Sequence, residues 1–154
     1  MIARLRGLIR DDCGSAIVEF VFVAVVVMLP LVYLIVAVAT VQRSEFAVSE
    51  AAREAGRAFA TSDHADQALG RAEAAVHIAL HDQGLPDDAA LAYVPAGSSC
   101  DAGQITPTLV AGAQFTVCVT RHVSIPAVPR VLAGKGITTV GEYVVHVDDY
   151  RTVS

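Results

Sequence analysis

The sequence predicts an α+β chain: a long N-terminal transmembrane helix that continues outside the membrane, a second amphipathic helix and a small antiparallel sheet. Three observations carry this expectation. Phe20 to Val41 is a run of 22 residues without a formal charge. Leu69, Ala72, Val76, Ala79 and Leu80 recur at helical spacing. Three stretches rich in Val, Thr, Phe and Tyr come after the helical part, and strands gathered behind helices favour an α+β arrangement.

Taken in order, the tip carries Arg4, Arg6 and Arg10, a flank of the kind that stays cytoplasmic. Arg43, Arg53 and Arg57 follow the span, so basic residues do not settle orientation by themselves. As a helix rising ~1.5 Å per residue, the uncharged run covers about 33 Å, enough for a hydrocarbon core of ~30 Å. An ordinary secretory signal would fit the basic start and the small residues Ala37 to Ala39. The apolar stretch is too long for that, however, and Glu19 lies inside it. A lipoprotein signal built on Cys13 fails because Arg10, Asp11 and Asp12 precede it. Pro30 falls within the span, where membrane helices tolerate proline, and it does not discriminate.

After the span, Ser49 to Ala60 continues as helix, with Glu50 facing Arg53 and Glu54 facing Arg57. Ser62-Asp63 reads as the start of the second helix, with Asp66 in its first turn; Gly84 and Pro86 end it. The strands are Ala90 to Val94, Ala113 to Ile125 and Thr138 to Tyr150. In the second, Phe115, Val117, Val119 and Arg121 alternate with Thr116, Cys118, Thr120 and His122. If the region after the span is outside the cell, Cys100 and Cys118 can pair there while Cys13 stays apart. Such a bridge would contribute roughly 3 kcal/mol in the chain-entropy model and pin the loop Pro95 to Thr108 against the edge of the sheet. The alternative is two buried thiols.

Composition and motifs exclude much. A formal charge of −5 with no Lys/Arg cluster beyond the tip argues against nucleic-acid contact. His77 and His81 stand four apart, near Asp82 and with His64 at the helix start, but no third metal ligand has a definite position. There is no Gly-x-Ser-x-Gly, no phosphate-cradling glycine loop and no Cys-x-x-Cys. The reading is a non-enzyme without a cofactor.

The segment Gly14-Ser15-Ala16-Ile17-Val18-Glu19-Phe20 resembles the type IV prepilin (class III) leader. The resemblance implies that a prepilin peptidase cuts between Gly14 and Ser15 on the cytoplasmic side, making Glu19 the fifth residue of the mature chain. A carboxylate in a bilayer core costs ~2.5–3.5 kcal/mol on insertion scales, so such a residue generally has a partner. The new amine of Ser15 lies one helical turn away, and the resemblance favours pairing between neighbouring subunits. The bland alternative is an acid that snorkels to the headgroups. The order Gly14, Glu19, Phe20, Pro30 and Ala51-Ala52-Arg53-Glu54-Ala55-Gly56-Arg57 is also similar to the TadE-like family of the tight-adherence (Tad/Flp) pilus system, with Ala55 and Gly56 in swapped order. That likeness covers roughly the first 60 residues. Bulk Flp pilins are far shorter than this chain, so the resemblance implies a minor pilin or pseudopilin with a pilin-like ectodomain.

The expected organisation is therefore a leader over 1–14, a transmembrane helix over 15–42 and an extracytoplasmic domain over 43–154. The N-terminus would be cytoplasmic. The expected partners are the lipid bilayer, a prepilin peptidase and other pilin or pseudopilin subunits, with incorporation in a surface pilus. Two rivals stand beside this reading: a tethered binding ectodomain that never polymerises, and a pseudopilin of a secretion or DNA-uptake machine.

Overall fold

The computed structural model describes residues 13–125 and 136–151, with side chains from 16 onward. The leader expected over 1–14 thus lies outside the described residues except for Cys13 and Gly14. Two helices, α1 (Cys13–Ala60) and α2 (Ala65–Asp82), precede three strands, β1 (Ala90–Pro95), β2 (Gln114–Val123) and β3 (Ile137–His146). The chain divides into two compact units, 1–38 and 39–154. The fold is α+β, as the sequence predicts.

In the first unit the described residues are the N-terminal part of α1. Its large apolar side chains, from Ile17 to Val38, are exposed. The helix persists through Pro30.

In the second unit the strands form one antiparallel sheet in the order β1-β2-β3. Phe115, Val117 and Val119 point to the helices, as their alternation predicts, and are buried with Ala47, Val48, Ala51, Ala55 and Phe59 of α1. Phe59, Tyr93 and Phe115 form an aromatic trio, with ring centroids 5.0–5.9 Å apart. Along α1 the buried stripe is nearly all small: Ser44, Ala47, Ala51, Ala52 and Ala55, with Val48 between. Small residues let the β3 backbone approach the helix directly. A methyl added at Gly141 would lie 2.7 Å from Ser49 N and closer still to the Val48 carbonyl.

Three details differ from the sequence reading. The second helix begins at Ala65, with His64 as its extended N-cap, because Ser62 donates its hydroxyl proton to the Ala58 carbonyl at 2.7 Å and so finishes α1. Ala68 is buried, while Leu69 is 40% exposed. The four-residue turn between the helices holds the first turn of α2 close to α1, where a methyl fits and a leucine does not. The third difference is the disulfide loop, which lies over the face of the sheet. Thr116 and Cys118, on the side away from the helices, are buried too. Among the described residues Ile105 engages the β1 edge, its N–H donating to the Tyr93 carbonyl at 2.8 Å.

Candidate functional site

The first candidate is the N-terminal part of α1. Among the described residues it is the single helix long and apolar enough to cross a membrane, with a mean hydropathy of 3.0 in its most apolar window. Such a helix is compatible with a single-pass membrane anchor. Gly14 and Ser15 lie in its first turn. Glu19 follows on the same helix, exposed among Ile17, Val18 and Phe20. The helix thus presents one carboxylate, one turn from Ser15, on an otherwise apolar surface.

The second is the disulfide. Cys100 and Cys118 are bonded, with Cα atoms 5.7 Å apart. Cys118 sits on the central strand, so the bridge crosses the outer face of the sheet. The Gly97 N–H donates to Thr116 Oγ1 at 3.0 Å, and the Cys100 N–H donates to Glu142 Oε1 at 3.4 Å. These contacts hold the loop at three points on β2 and β3, in addition to the Ile105 bond to β1. Its cover explains why β2 is buried on both faces.

Of the four candidate metal ligands, His77 and His81 share a cleft and the other two lie elsewhere. His77 pairs with Asp87, and His81 lines the same open cleft of about 410 Å³ with Ile78 and Leu85. Asp82 instead faces Glu50 and Glu54 across a separate depression, and His64 caps the far end of α2. Among the described residues no three His, Cys, Asp or Glu side chains form a metal-binding group.

One polar cluster escapes a motif-based reading. Arg121 is buried on the helix side of β2, where alternation places it, and its Nε and Nη2 donate to the two carboxylate oxygens of Asp88 at 2.5 and 3.3 Å. Its Nη1 donates to Ser44 Oγ at 3.2 Å, and Ser44 Oγ meets Thr139 Oγ1 at 2.8 Å. Four segments (α1, the loop before β1, β2 and β3) are joined here. A charge inside needs such partners, since losing one leaves the other unpaired in low dielectric. The inward phase of Arg121 was the available signal; Asp88, 33 positions away, had none.

Tyr93 is the other unusual group. Its hydroxyl is buried without a hydrogen-bond partner among the described residues. Burial, and secondarily the negative charge of Glu73, push its phenol up to about 12.

In comparison with known proteins, no family model, curated protein or solved structure matches the chain.

Proposed function

We propose that this chain is a minor pilin or pseudopilin of a Tad/Flp-type pilus system, anchored by α1 and cut between Gly14 and Ser15. The observation that carries the reading is Gly14-x-x-x-x-Glu19-Phe20 heading an apolar helix that continues without a break into an α+β domain. After cleavage, the Ser15 amine would carry a positive charge one turn from Glu19. In a filament that amine and the Glu19 carboxylate of a neighbour neutralise each other in low dielectric, an arrangement worth far more there than in water. The subunit would take few positions in the filament and support its assembly and adhesion. The N-terminus is cytoplasmic in this reading and the domain after the span extracytoplasmic, where the Cys100–Cys118 bond persists.

N-terminal sequencing of the membrane-extracted protein tests the proposal. Ser15 as the first residue supports it. Thr40 as the first residue would mark secretory processing, and an intact Met1 in a peptidase-positive host would leave a simple anchor; either overturns it.

A further inference from the structure

The end of the second unit where α1 enters it carries two large apolar side chains that the described residues leave exposed. Phe46 is 72% exposed. Ser44, Ala47, Val48 and Ala51 are buried, which fixes the helix phase and turns Phe46 to the side opposite the sheet. It stands five residues after Val41, the last apolar residue of the run, or about 7.5 Å further along the axis.

On the sheet side the corresponding level is set by β3, which runs alongside α1 in the same direction. Thr139 bonds to Ser44, Gly141 abuts Val48, and Tyr143 and Val145 abut Gly56. Two strand residues rise about 6.7 Å and four helix residues about 6 Å, so the two elements stay in step. Extrapolated one pair backward, Ile137 is level with about Thr40, beside the end of the uncharged run. Ile137 is a large apolar side chain, 40% exposed, and its β2 partner is Val123.

We propose that this end of the domain is seated in a lipid surface, with Ile137 at the boundary between headgroups and acyl chains and Phe46, about 9 Å further along the axis, among the headgroups. The two residues lie on opposite sides of α1. A neighbouring protein docked on one side of the helix touches one of them, whereas a planar medium surrounding the helix touches both. Aromatic side chains favour the headgroup level. The seat directly follows the apolar run in the chain, so it rests on the membrane anchor and not on the filament reading. The exposed charges beside Phe46 are Arg43, Glu45 and Glu50, with no basic excess to attract anionic headgroups. The binding is therefore apolar rather than electrostatic, and zwitterionic lipid suffices.

The chain contains no tryptophan, so single substitutions give background-free probes. Full-length Phe46→Trp, Ile137→Trp and, as a control, Tyr150→Trp (93% exposed in the native chain) are reconstituted in phosphatidylcholine vesicles. Emission is recorded with lipids brominated at graded depths. Probes at 46 and 137 should emit to the blue of the probe at 150 and be quenched severalfold more strongly, most by bromines near the headgroups, without change in 0.5 M salt. Emission at 46 and 137 matching that at 150 would overturn the proposal. So would a blue shift at 46 that vanishes on dilution with lipid, which marks a second copy of the chain as the occupant. The two positions report independently if one variant misfolds, and circular dichroism identifies that variant. None of these readings depends on cleavage at Gly14, so the lipid seat and the pilin reading can fail separately.

Discussion

Gly141→Ala isolates the closest approach in the second unit. The substitution adds one methyl, and the backbone at 141 does not occupy the left-handed region that would strain alanine. The added carbon would meet backbone on the helix, 2.7 Å from Ser49 N and nearer still to the Val48 carbonyl. An ordinary contact is about 3.5 Å, so α1 and β3 must separate by about 1 Å. A gap of that size forfeits a quarter to a half of the dispersion well for atoms facing across it. Those atoms belong to the Ala47, Val48 and Ala51 stripe and the sheet beneath it. Overpacking that side chains absorb costs about 1–3 kcal/mol; with backbone on the receiving side, about 3 kcal/mol or more is expected. Gly56→Ala is the graded comparison, since its methyl would meet side chains, Val145 Cγ2 at 2.6 Å and Tyr143 Cδ1 at 2.7 Å. Tyr143 is half-buried and can turn away, whereas Val145 is buried and must shift, so about 1–3 kcal/mol is expected. Gly70→Ala meets nothing within 4 Å on an exposed helix face and should stabilise by about 0.5–1 kcal/mol. Urea unfolding of the detergent-solubilised full chain, followed by near-ultraviolet circular dichroism, measures all three. A Gly141→Ala midpoint within about 0.5 kcal/mol of wild type would show that the two backbones do not meet, and would refute the reasoning.

Glu19→Ala should leave the second unit's stability unchanged and ease membrane insertion, yet abolish pilus formation. Loss of one partner of a buried pair costs ~3–5 kcal/mol, and normal piliation in a complemented deletion strain, at normal expression and processing, would sink the assembly role. Replacing Cys100 and Cys118 together by Ser should lower stability by roughly 3 kcal/mol in urea unfolding and release the loop as a site of limited proteolysis; an unchanged midpoint would show the loop is held by Thr116 and Glu142 without the bond. For Tyr93 the folded phenol titrates at about 12 against an ordinary 10.0, so the unfolded chain loses its proton first. Stability from this group is complete below pH 10 and falls as pH climbs toward 12, by on the order of 2 kcal/mol, and Tyr93→Phe should remove that part of the alkaline loss.

The elements with a strong period were legible in the sequence. The apolar run, the alternation in β2 and the turn signals at Gly84 and Pro86 each gave the element and its approximate ends. The burial of Thr116 and Cys118 was not legible, because period-2 alternation assigns a face but says nothing of what covers it. The choice of Ala68 over Leu69 was invisible for a similar reason: hydrophobicity ranks leucine higher, while the short turn between the helices leaves room only for a methyl. Asp88 carries no local signal for its pairing with Arg121, a contact made only once β2 lies behind the helices. Of the candidate site, Gly14, Ser15 and Glu19 are singled out by their spacing, and the structure adds that all three lie in one helix. His77 and His81 share both a spacing and a cleft, but Asp82 faces Glu50 and Glu54 instead, and His64 lies at the far end of α2.

The two parts of α1 use side chains of different size, and the difference follows from what each part meets. From Phe20 to Leu34 the helix is dense in Phe, Val, Leu and Met, bulk that the fluid lipid around a membrane anchor would accommodate in any rotamer. From Ser44 to Ala55 the buried stripe shrinks to serine, alanine and one valine, because a strand backbone cannot reshape itself around bulk. Each buried methyl removes little apolar area, so the middle of this contact contributes shape more than free energy. The attachment of sheet to helix must therefore be strongest at its two ends. At one end Arg121, Asp88, Ser44 and Thr139 lock four segments through directional bonds. At the other, Phe59 packs against Tyr93 and Phe115 and buries more area than several alanines together. Enlarging a residue in the middle pries the contact open along its length, whereas truncating Phe59 loosens one end and leaves the other fastened.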